Sequence, residues 1–293
     1  MDVSIIIRTK NEAEFVGETL EKVMGQEFKG TCEVIIVDSG STDSTLQIVR
    51  NHDVKLLQIS QEEFTYGRSL NIGAINAKGK FVVNLSAHAL PRNEKWLTNL
   101  ISGFEDNSVA GVYGRQLSNG HINPFEAMQN ELFFGGEERT FIMNKRRLVR
   151  IHFSNSNSAI RRDVWEKFRF NEEVGYAEDI LWQTEVMDAG YSIVYAPDAA
   201  VHHTHRVSVY GAYRNSRECA YALASMKKKR RSVLAIMIDV GIFLGLTPNS
   251  IFQNVKYILQ KKYHEHLKVA PLYVMSVWLG WLVGRIKYRA EKP

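Results

Sequence analysis

The stretch Val34–Thr45, VIIVDSGSTDST, places a short β-branched run directly before a polar loop that contains one glycine. Four consecutive branched apolar residues are too few for a helix and are typical of a buried strand in a parallel sheet. Asp38, at the strand end, is suited to accept hydrogen bonds from a base or ribose, and Gly40 permits a sharp turn. The same residues also suit an Asx-turn before a helix, so this stretch alone leaves both interpretations open.

Strands and helices alternate on both sides of this stretch. The other short apolar runs are Val3–Ile7, Val54–Ile59, Phe81–Leu85 and Val109–Tyr113. Helical patterns separate most of these runs, which predicts an open α/β sheet whose ligands bind at the carboxyl ends of the strands. The polar loops that follow predicted strands are Arg8–Glu12, Asp38–Thr45 and Ser86–Pro91. We expect these three loops to form the binding site.

The charge of the chain is unevenly distributed. Of 293 residues, 45% are apolar, which is typical of a globular protein with one large domain or two small ones. Residues 1–205 carry a net charge of −7, whereas residues 206–293 carry +12. We therefore expect an α/β domain over 1–205 and a basic, apolar helical extension over 206–293, with an acidic partner for the extension.

A carboxylate pair, Glu178-Asp179, opens a predicted helix in the segment YAEDILWQTEV (176–186). A helix N-terminus favours an ionised carboxylate, as a general base requires, although an Asp at this position is more often a simple cap. Trp182 lies three residues further on, on nearly the same helix face. It would either stack against a substrate or pack in the core.

Two familiar nucleotide-binding patterns are missing from the sequence. It contains neither GxGxxG nor a Walker A motif, which weakens a dehydrogenase or P-loop interpretation. Arg8 and Arg68 are the natural counter-charges for a diphosphate, because Arg binds phosphate with two parallel hydrogen bonds.

Seven motifs follow one another in a recognisable order. They are RTKNE (8–12), VDSGSTDST (37–45), FTYGRSLNIGAINAKG (64–79), NLSAHALP (84–91), SNSNSAIRRDVW (154–165), AEDILWQ (177–183) and GYSIVYAPDAAVHH (190–203). In this order they resemble the family 2 glycosyltransferases of GT-A fold, and most closely the rhamnosyltransferase-like members of bacterial polysaccharide assembly. The resemblance covers about residues 1–205. It implies a Rossmann-like open mixed sheet flanked by helices, as the catalytic domain, followed by the helical extension.

The resemblance also implies roles for individual residues. Asp179 falls on the catalytic base of an inverting reaction, in which an acceptor hydroxyl attacks the anomeric carbon of a nucleotide-diphosphate sugar. The implied donor-binding residues are Arg8, Thr9, Asn11, Glu12, Asp38, Arg68, Asn71, Ser86 and His88. The acceptor-binding candidates are Asn157, which by resemblance lies in the segment that lines the donor-sugar and acceptor cleft, and Trp182, if it stacks against a sugar. Glu178 would either orient the base or bind the acceptor. The acceptor would be a saccharide or a lipid-linked saccharide.

One motif departs from the family pattern. The acidic triplet that holds a divalent metal ion in relatives reads Ser86-Ala87-His88 here and contains no carboxylate. A neutral imidazole can ligate Mn²⁺, whereas Mg²⁺ prefers oxygen ligands. The resemblance implies Mn²⁺ or Mg²⁺ as cofactor with His88 and His203 as ligands, and His205 as a near alternative to His203. Without a metal, Arg8, Arg68 and His88 would neutralise the leaving group alone.

The extension contains two apolar runs, Val233–Leu246 and Val269–Gly284. Both are shorter than the about 20 residues that span a bilayer. Basic residues flank them, and Trp278 and Trp281 lie in the second, which is typical of helices at a membrane surface. We expect membrane contact through residues 227–289, with packing on protein as the alternative. A GxxxG match, Gly280–Gly284, carries little weight alone.

The location and the partners follow from these features. The first apolar run is only Val3–Ile7, so we expect no secretory signal and a cytoplasmic protein at the inner face of the cell membrane. No nucleic-acid recognition motif is visible, so nucleic acid is not an expected partner. The alternatives to a glycosyltransferase are a sugar-phosphate nucleotidyltransferase, whose glycine-rich N-terminal signature is missing, and a non-catalytic nucleotide-sugar-binding scaffold. The donor sugar (dTDP-rhamnose by the nearest resemblance), the acceptor and the oligomeric state stay open.

Overall fold

A computed structural model describes residues 1–136, 140–142, 153–226 and 233–291. The strands are β1 (Val3–Thr9), β2 (Cys32–Asp38), β3 (Lys55–Gln58), β4 (Phe81–Ser86), β5 (Leu90–Pro91), β6 (Val109–Leu117), β7 (Thr140–Ile142), β8 (Asn157–Arg161) and β9 (Ser192–His202). They form a mixed sheet in the order β3-β2-β1-β4-β8-β6-β9-β5, and β7 pairs with β9. The predicted open mixed sheet is confirmed.

The helices alternate with the strands through most of the first 205 residues. They are α1 (Val16–Met24), α2 (Thr45–Val49), α3 (Tyr66–Ile75), α4 (Trp96–Ile101), α5 (Pro124–Phe134), α6 (Arg162–Trp165), α7 (Glu178–Asp188), α8 (Val209–Met226), α9 (Val233–Gln260) and α10 (Ala270–Glu291). The sequence did not predict α4 or α5. The six residues of α4 are too few to show a helical period, and the apolar residues of α5 do not form a single stripe.

The central strands are buried on both faces, which explains their uninterrupted apolar sequences. In β1, Ile5 and Ile7 pack with Leu20 of α1 on one face of the sheet. Ile6, between them, packs with Leu70 of α3 on the other face. Each face therefore has its own helix layer and its own core.

The direction of the chain across the sheet reverses between β1 and β4. From β1 the chain builds outward through β2 and β3, all parallel, and then returns to place β4 on the other side of β1. The loops that follow β1 and β4 therefore diverge at a topological switch point, where open α/β sheets bind their ligands.

The strand β9 is longer than its sequence indicates. Proline normally interrupts a paired strand, but β9 runs unbroken from Ser192 to His202 across Pro197. Its register against β6 jumps between Ala196 and Val201, so the irregularity accommodates the proline that regular pairing would exclude.

The chain divides into two compact units. The larger comprises residues 1–118, 130–173 and 178–204, and the smaller comprises 119–129, 174–177 and 205–293. Two short segments from within residues 1–205 thus belong to the smaller unit. The larger unit contains the sheet, whereas the smaller contains α8, α9 and α10.

Within the smaller unit, α10 packs closely against α8. A Cβ atom added to Gly280 would lie 2.2 Å from the Tyr213 carbonyl oxygen, and one added to Gly284 would lie 2.1 Å from that of Arg217. Only glycine permits this approach of the two backbones. The GxxxG pair therefore serves a contact inside the chain.

The single acidic residue of the first apolar run, Asp239, is buried in an ion-pair cluster. Its carboxylate accepts hydrogen bonds from Arg285 (2.8 Å) and Arg289 (3.0 Å) of α10. The two guanidinium groups bind both carboxylate oxygens of Asp239. The only charged side chain of the apolar run is therefore buried and paired inside the smaller unit.

Candidate active site

The Asp38 carboxylate organises the loop after β2. Its Oδ1 accepts hydrogen bonds from the backbone N–H groups of Gly40 (3.1 Å) and Ser41 (3.0 Å), and its Oδ2 accepts from the hydroxyls of Thr9 (3.1 Å) and Ser41. These four bonds use the four lone-pair positions of the carboxylate, which is fully buried. The Asx-turn interpretation of Asp38 describes this arrangement, and direct contact with a nucleotide stays a prediction. Gly40 has φ +84°, as the sharp turn requires.

The loop after β1 is tied to this turn. Asn11 has the positive φ of 54°, which Asn tolerates better than most residues. Its amide oxygen accepts from the Thr42 N–H (2.8 Å), and its own N–H donates to Ser41 Oγ (2.9 Å). The Glu12 N–H donates to Thr45 Oγ1 (2.8 Å). The first two predicted loops are therefore joined by hydrogen bonds at one edge of the sheet.

Arg8 lies near the end of β1 with an unused capacity for hydrogen bonding. Its Nε and Nη1 are buried and lack a hydrogen-bond partner among the residues that the structure describes. The guanidinium lies 4.8 Å from the centre of the Tyr66 ring, and its positive charge acts to lower the pKa of Asp179. Buried N–H donors without a partner cost free energy unless a ligand accepts their hydrogen bonds, so the charged Arg8 side chain is suited to an anionic ligand.

Asp179 lies at the start of α7, next to a buried Glu178. Its carboxylate accepts from the N–H groups of Ile180 (2.8 Å) and Asn155 (3.3 Å). Burial and then the neighbouring Glu178 raise the pKa of Asp179 to about 7, against the opposing effects of these hydrogen bonds and of Arg8. The sequence predicted that the helix N-terminus would favour the ionised form, but burial outweighs it. A pKa near neutrality suits a general base better than a fully ionised carboxylate does.

The sequence missed Asn155, which contacts both carboxylates. Its backbone N–H donates to Asp179, and its side-chain amide donates to Glu178 Oε1 (3.3 Å). The amide oxygen accepts from Asn84 (3.1 Å) and from Ser158 (3.1 Å). The polar run SNSNS was a signal for this network, but the sequence alone did not distinguish Asn155 from Asn157.

Two residues predicted to bind the acceptor contact the protein interior instead. Asn157 is fully buried, accepts from Trp96 Nε1 (2.9 Å) and donates to the Ala199 carbonyl (2.8 Å). Trp182 is 1% exposed, packs against Phe153 and donates to the Phe168 carbonyl (2.7 Å). No face of Trp182 is accessible to a sugar. We therefore assign both residues to the core.

Glu178 and Asn71 are buried as well. Glu178 is 5% exposed, its Oε1 accepts a hydrogen bond from the Asn155 amide (3.3 Å), and its charge raises the pKa of Asp179. Its burial leaves little surface for an acceptor. Asn71 is buried, donates to Phe170 O and Glu172 Oε1, and accepts from Trp165 Nε1 and the Phe170 N–H. All its hydrogen-bonding positions are used. It fixes the segment after α6 to α3 and does not reach a donor.

Two of the three histidines named from the sequence, His88 and His203, lie side by side. The His88 and His203 rings stack with centroids 4.9 Å apart and an 11° angle between planes, and His88 Nδ1 lies 2.9 Å from Glu12 Oε1. His205 belongs to the smaller unit, where its Nδ1 lies 2.8 Å from Glu126 Oε1. Ser86 is the last residue of β4. The Arg68 side chain is 43% exposed, and its Nη2 lies 3.4 Å from Glu63 Oε1.

Comparison with solved structures agrees with this architecture. A mannosyltransferase from Pyrobaculum calidifontis, PcManGT, in complex with GDP-Man and Mn²⁺ is similar with a TM-score of 0.63 at 19% identity, covering 99% of this chain and 87% of that one. TarS 1–349 of Staphylococcus aureus in complex with UDP is similar with a TM-score of 0.60 at 19% identity, covering 100% and 92%. The fold is that of the GT-A glycosyltransferases, with a C-terminal helical region.

Sequence comparison then gives the family. The pattern of the glycosyl transferase family 2 matches residues 4–169, which is more than half of the chain. The chain belongs to glycosyl transferase family 2, and the predicted family is confirmed. An O-antigen chain rhamnosyltransferase of Salmonella anatum, WbaN, is 34% identical over 180 residues, which cover 59% of this chain and 56% of the relative. RfbN, an O-antigen chain rhamnosyltransferase of Salmonella typhimurium strain LT2, is 26% identical over 213 residues, covering 70% and 67%. The first match thus spans little more than half of the relative.

Proposed function

We propose that this protein transfers a sugar from a nucleotide-diphosphate donor to a saccharide or lipid-linked hydroxyl with inversion, in cell-surface polysaccharide assembly. The observation that carries the proposal is the pairing of two groups: the Asp179 carboxylate, whose pKa is raised to about 7 and is lowered in part by the charge of Arg8, and the Arg8 guanidinium, whose buried Nε and Nη1 have no hydrogen-bond partner among the described residues. A proton acceptor and a cation for a phosphate are the two groups that such a transfer needs.

The proposed reaction uses the two groups on opposite sides of the transferred carbon. The Asp179 carboxylate accepts the proton of the acceptor hydroxyl as its oxygen forms a bond to the anomeric carbon. The bond from that carbon to the diphosphate oxygen breaks, and its electron pair leaves with the nucleoside diphosphate. Arg8 stabilises the charge that develops on the leaving group. Asn155 and Glu178 keep the base in position and its pKa near neutrality.

A divalent cation is the proposed cofactor, with His88 and His203 among its ligands. Two imidazole nitrogens that approach within 4.8 Å of each other suit Mn²⁺ better than Mg²⁺. When bound, the ion would supply positive charge against the diphosphate. The solved structure that contains Mn²⁺ supports this proposal through fold similarity.

The donor is the first property to test. Because two relatives are named rhamnosyltransferases, dTDP-rhamnose is the proposed donor, with UDP-GlcNAc and GDP-Man as comparison donors. Each donor is incubated with the protein, Mn²⁺ and a saccharide acceptor, and the released product is identified. Nucleoside diphosphate supports the proposal. Pyrophosphate would instead favour a nucleotidyltransferase, and binding without turnover across the panel would favour a scaffold.

We expect Glu178→Gln to shift the pH dependence of transfer. In the native protein kcat/KM should rise with pH through about 7, as Asp179 ionises. The neutral amide removes the repulsion that Glu178 exerts on Asp179, so the rising limb should move to lower pH. Glu185→Gln, an exposed site on the same helix, is the matched control and should leave the profile unchanged. An identical profile for Glu178→Gln would contradict the tuning role.

Membrane contact through the smaller unit is a further part of the proposal. Among the described residues, one helix, Ile236–Gln260 within α9, is long and apolar enough to cross a membrane. This differs from the sequence-based expectation of two short runs, and Lys227–Arg231, the predicted basic flank, lies outside the described residues. Ile238, Leu244 and Phe252 are each more than half exposed on α9. An apolar helix face on a basic segment suits an anionic bilayer surface at the cytoplasmic face of the membrane.

The membrane proposal predicts that the triple variant Ile238→Glu, Leu244→Glu, Phe252→Glu loses affinity for vesicles. Co-sedimentation with vesicles of phosphatidylcholine and phosphatidylglycerol measures the bound fraction, and three buried glutamates in a bilayer would oppose binding strongly. The triple variant Met24→Glu, Ile75→Glu, Leu132→Glu adds the same three charges at exposed apolar sites of the larger unit and is the matched control. Unchanged sedimentation of the triple variant would refute contact through α9.

A further inference from the structure

We propose that Glu12 supplies the carboxylate that the triplet Ser86-Ala87-His88 lacks, and completes a divalent-metal site with His88 and His203. The inference rests on the proposed function only in taking a diphosphate donor as the ligand beside the metal. It assigns a metal-binding role to a residue of the loop after β1, where the sequence indicated donor binding.

The first observation is where Glu12 and His88 meet. Glu12 follows β1 and His88 follows β4, and these two strands flank the switch point of the sheet. Glu12 Oε1 lies 2.9 Å from His88 Nδ1, and the two side chains are only 21% and 19% exposed. A carboxylate and an imidazole thus lie side by side at the edge where open α/β sheets bind ligands.

The second observation is the position of His203. It directly follows β9, is 4% exposed, and its ring lies nearly parallel to that of His88. The possible ligand atoms of these two histidines lie within 4.8 Å of each other. Glu12 contacts His88, and His88 stacks on His203, so one carboxylate and two imidazoles from three separate loops form a continuous chain of contacts in the larger unit.

The third observation is that Glu12 is held in place by its own loop. Its N–H is bound to Thr45 Oγ1, and the preceding Asn11 is fixed in a left-handed conformation by bonds to Ser41 and Thr42. A metal ligand needs such a supporting set of contacts, because a loosely held side chain loses affinity. Two nitrogen donors and one carboxylate oxygen form a set that suits Mn²⁺.

The same geometry also permits an alternative role, in which Glu12 does not bind the metal ion and only orients the His88 ring. Glu12→Gln separates the two roles. The Gln amide oxygen still accepts a hydrogen bond from an imidazole N–H, but a neutral amide is a much poorer metal ligand than a carboxylate. An orienting residue would therefore tolerate this change, whereas a ligand would not.

The test is a titration of the full-length protein with MnCl₂ in the presence of UDP, and separately of dTDP, followed by the electron paramagnetic resonance signal of free Mn²⁺. We expect Glu12→Gln and His88→Ala each to weaken Mn²⁺ binding by at least about tenfold. Glu12→Asp should retain part of the affinity, because it keeps a carboxylate. Glu18→Gln, an exposed site on α1, is the matched control and should bind as the native protein does.

Two outcomes would overturn the inference. Native-like Mn²⁺ affinity in Glu12→Gln, with loss in His88→Ala, would limit Glu12 to orienting His88. Failure of the native protein to bind Mn²⁺ with either nucleotide would remove the site altogether. If the native protein does not bind Mn²⁺, donor turnover is measured on the same preparation in the presence of EDTA. Turnover under these conditions would show that the proposed transfer proceeds without a metal ion. Thermal unfolding of each variant checks that a lost signal does not reflect a lost fold.

Discussion

Replacing Asp179 by Asn is expected to reduce sugar transfer by about 10²–10⁴-fold, the range that a general base contributes. The amide keeps the shape of the carboxylate but cannot accept the proton of the acceptor hydroxyl. Donor binding should persist, because Arg8 and the loops after β1 and β2 are unchanged. The measurements are the transfer rate with the active donor of the panel and the affinity for the nucleoside diphosphate.

The same variant should be more stable than the native protein at pH 8. The folded pKa of Asp179, about 7, lies above its ordinary value of 3.8, so the native state binds more protons than the unfolded state between these pH values. The contribution of Asp179 to stability is therefore fully present below about pH 4 and is lost as pH rises through 7. Asn has no such loss, so the melting temperatures should converge near pH 4 and differ at pH 8.

The control for this prediction is Asp188→Asn, at the exposed C-terminal end of the same helix. It should change neither the transfer rate nor the pH dependence of stability. Near-native turnover by Asp179→Asn would exclude Asp179 as the base. Loss of donor affinity together with turnover would mean that the substitution damages the whole site, and the assignment would fail on that evidence too.

The sheet was predictable from sequence because its central strands are buried on both faces. Two-sided burial leaves uninterrupted runs such as Val34–Val37, and a polar residue after each run marks where the strand ends. The course of β9 was not predictable. Whether Pro197 ends a strand depends on the pairing with β6, and the register jump that accommodates it is a property of two distant segments.

The location of the candidate site was predictable from the sequence, but the roles of its individual residues were not. Loops at strand ends bring Arg8, Asp38 and His88 to one edge, as the rule for parallel strands requires. The burial of each side chain depends on residues that are distant in the sequence, and no local sequence pattern indicates it. Asn71 therefore received a donor-binding role that its burial excludes, and the choice for Trp182 between stacking on a substrate and packing in the core stayed open. The pKa of Asp179 was not predictable for the same reason, because burial outweighs the effect of the helix N-terminus.

Replacing Arg8 by Met is expected to reduce kcat/KM by about 10²–10³-fold, comparable to the loss of one preorganised donor to a developing negative charge. Met retains much of the side-chain volume beside Tyr66 but removes the cation. Because the guanidinium also lowers the pKa of Asp179, its removal should move the rising limb of the pH profile to higher pH. This is opposite to the shift expected for Glu178→Gln, so two variants bracket the native profile.

The paired shift distinguishes an electrostatic role of Arg8 from a structural one. A variant that merely loosens the site would lower the rate without moving the pH limb. Arg8→Lys keeps the charge but not the planar fork, so it should restore the pH limb while recovering only part of the rate. Arg50→Met, at an exposed position after α2, is the matched control and should be native in both respects. A native rate for Arg8→Met would show that the diphosphate is neutralised elsewhere, and Arg68, exposed on α3, would then be the group to test.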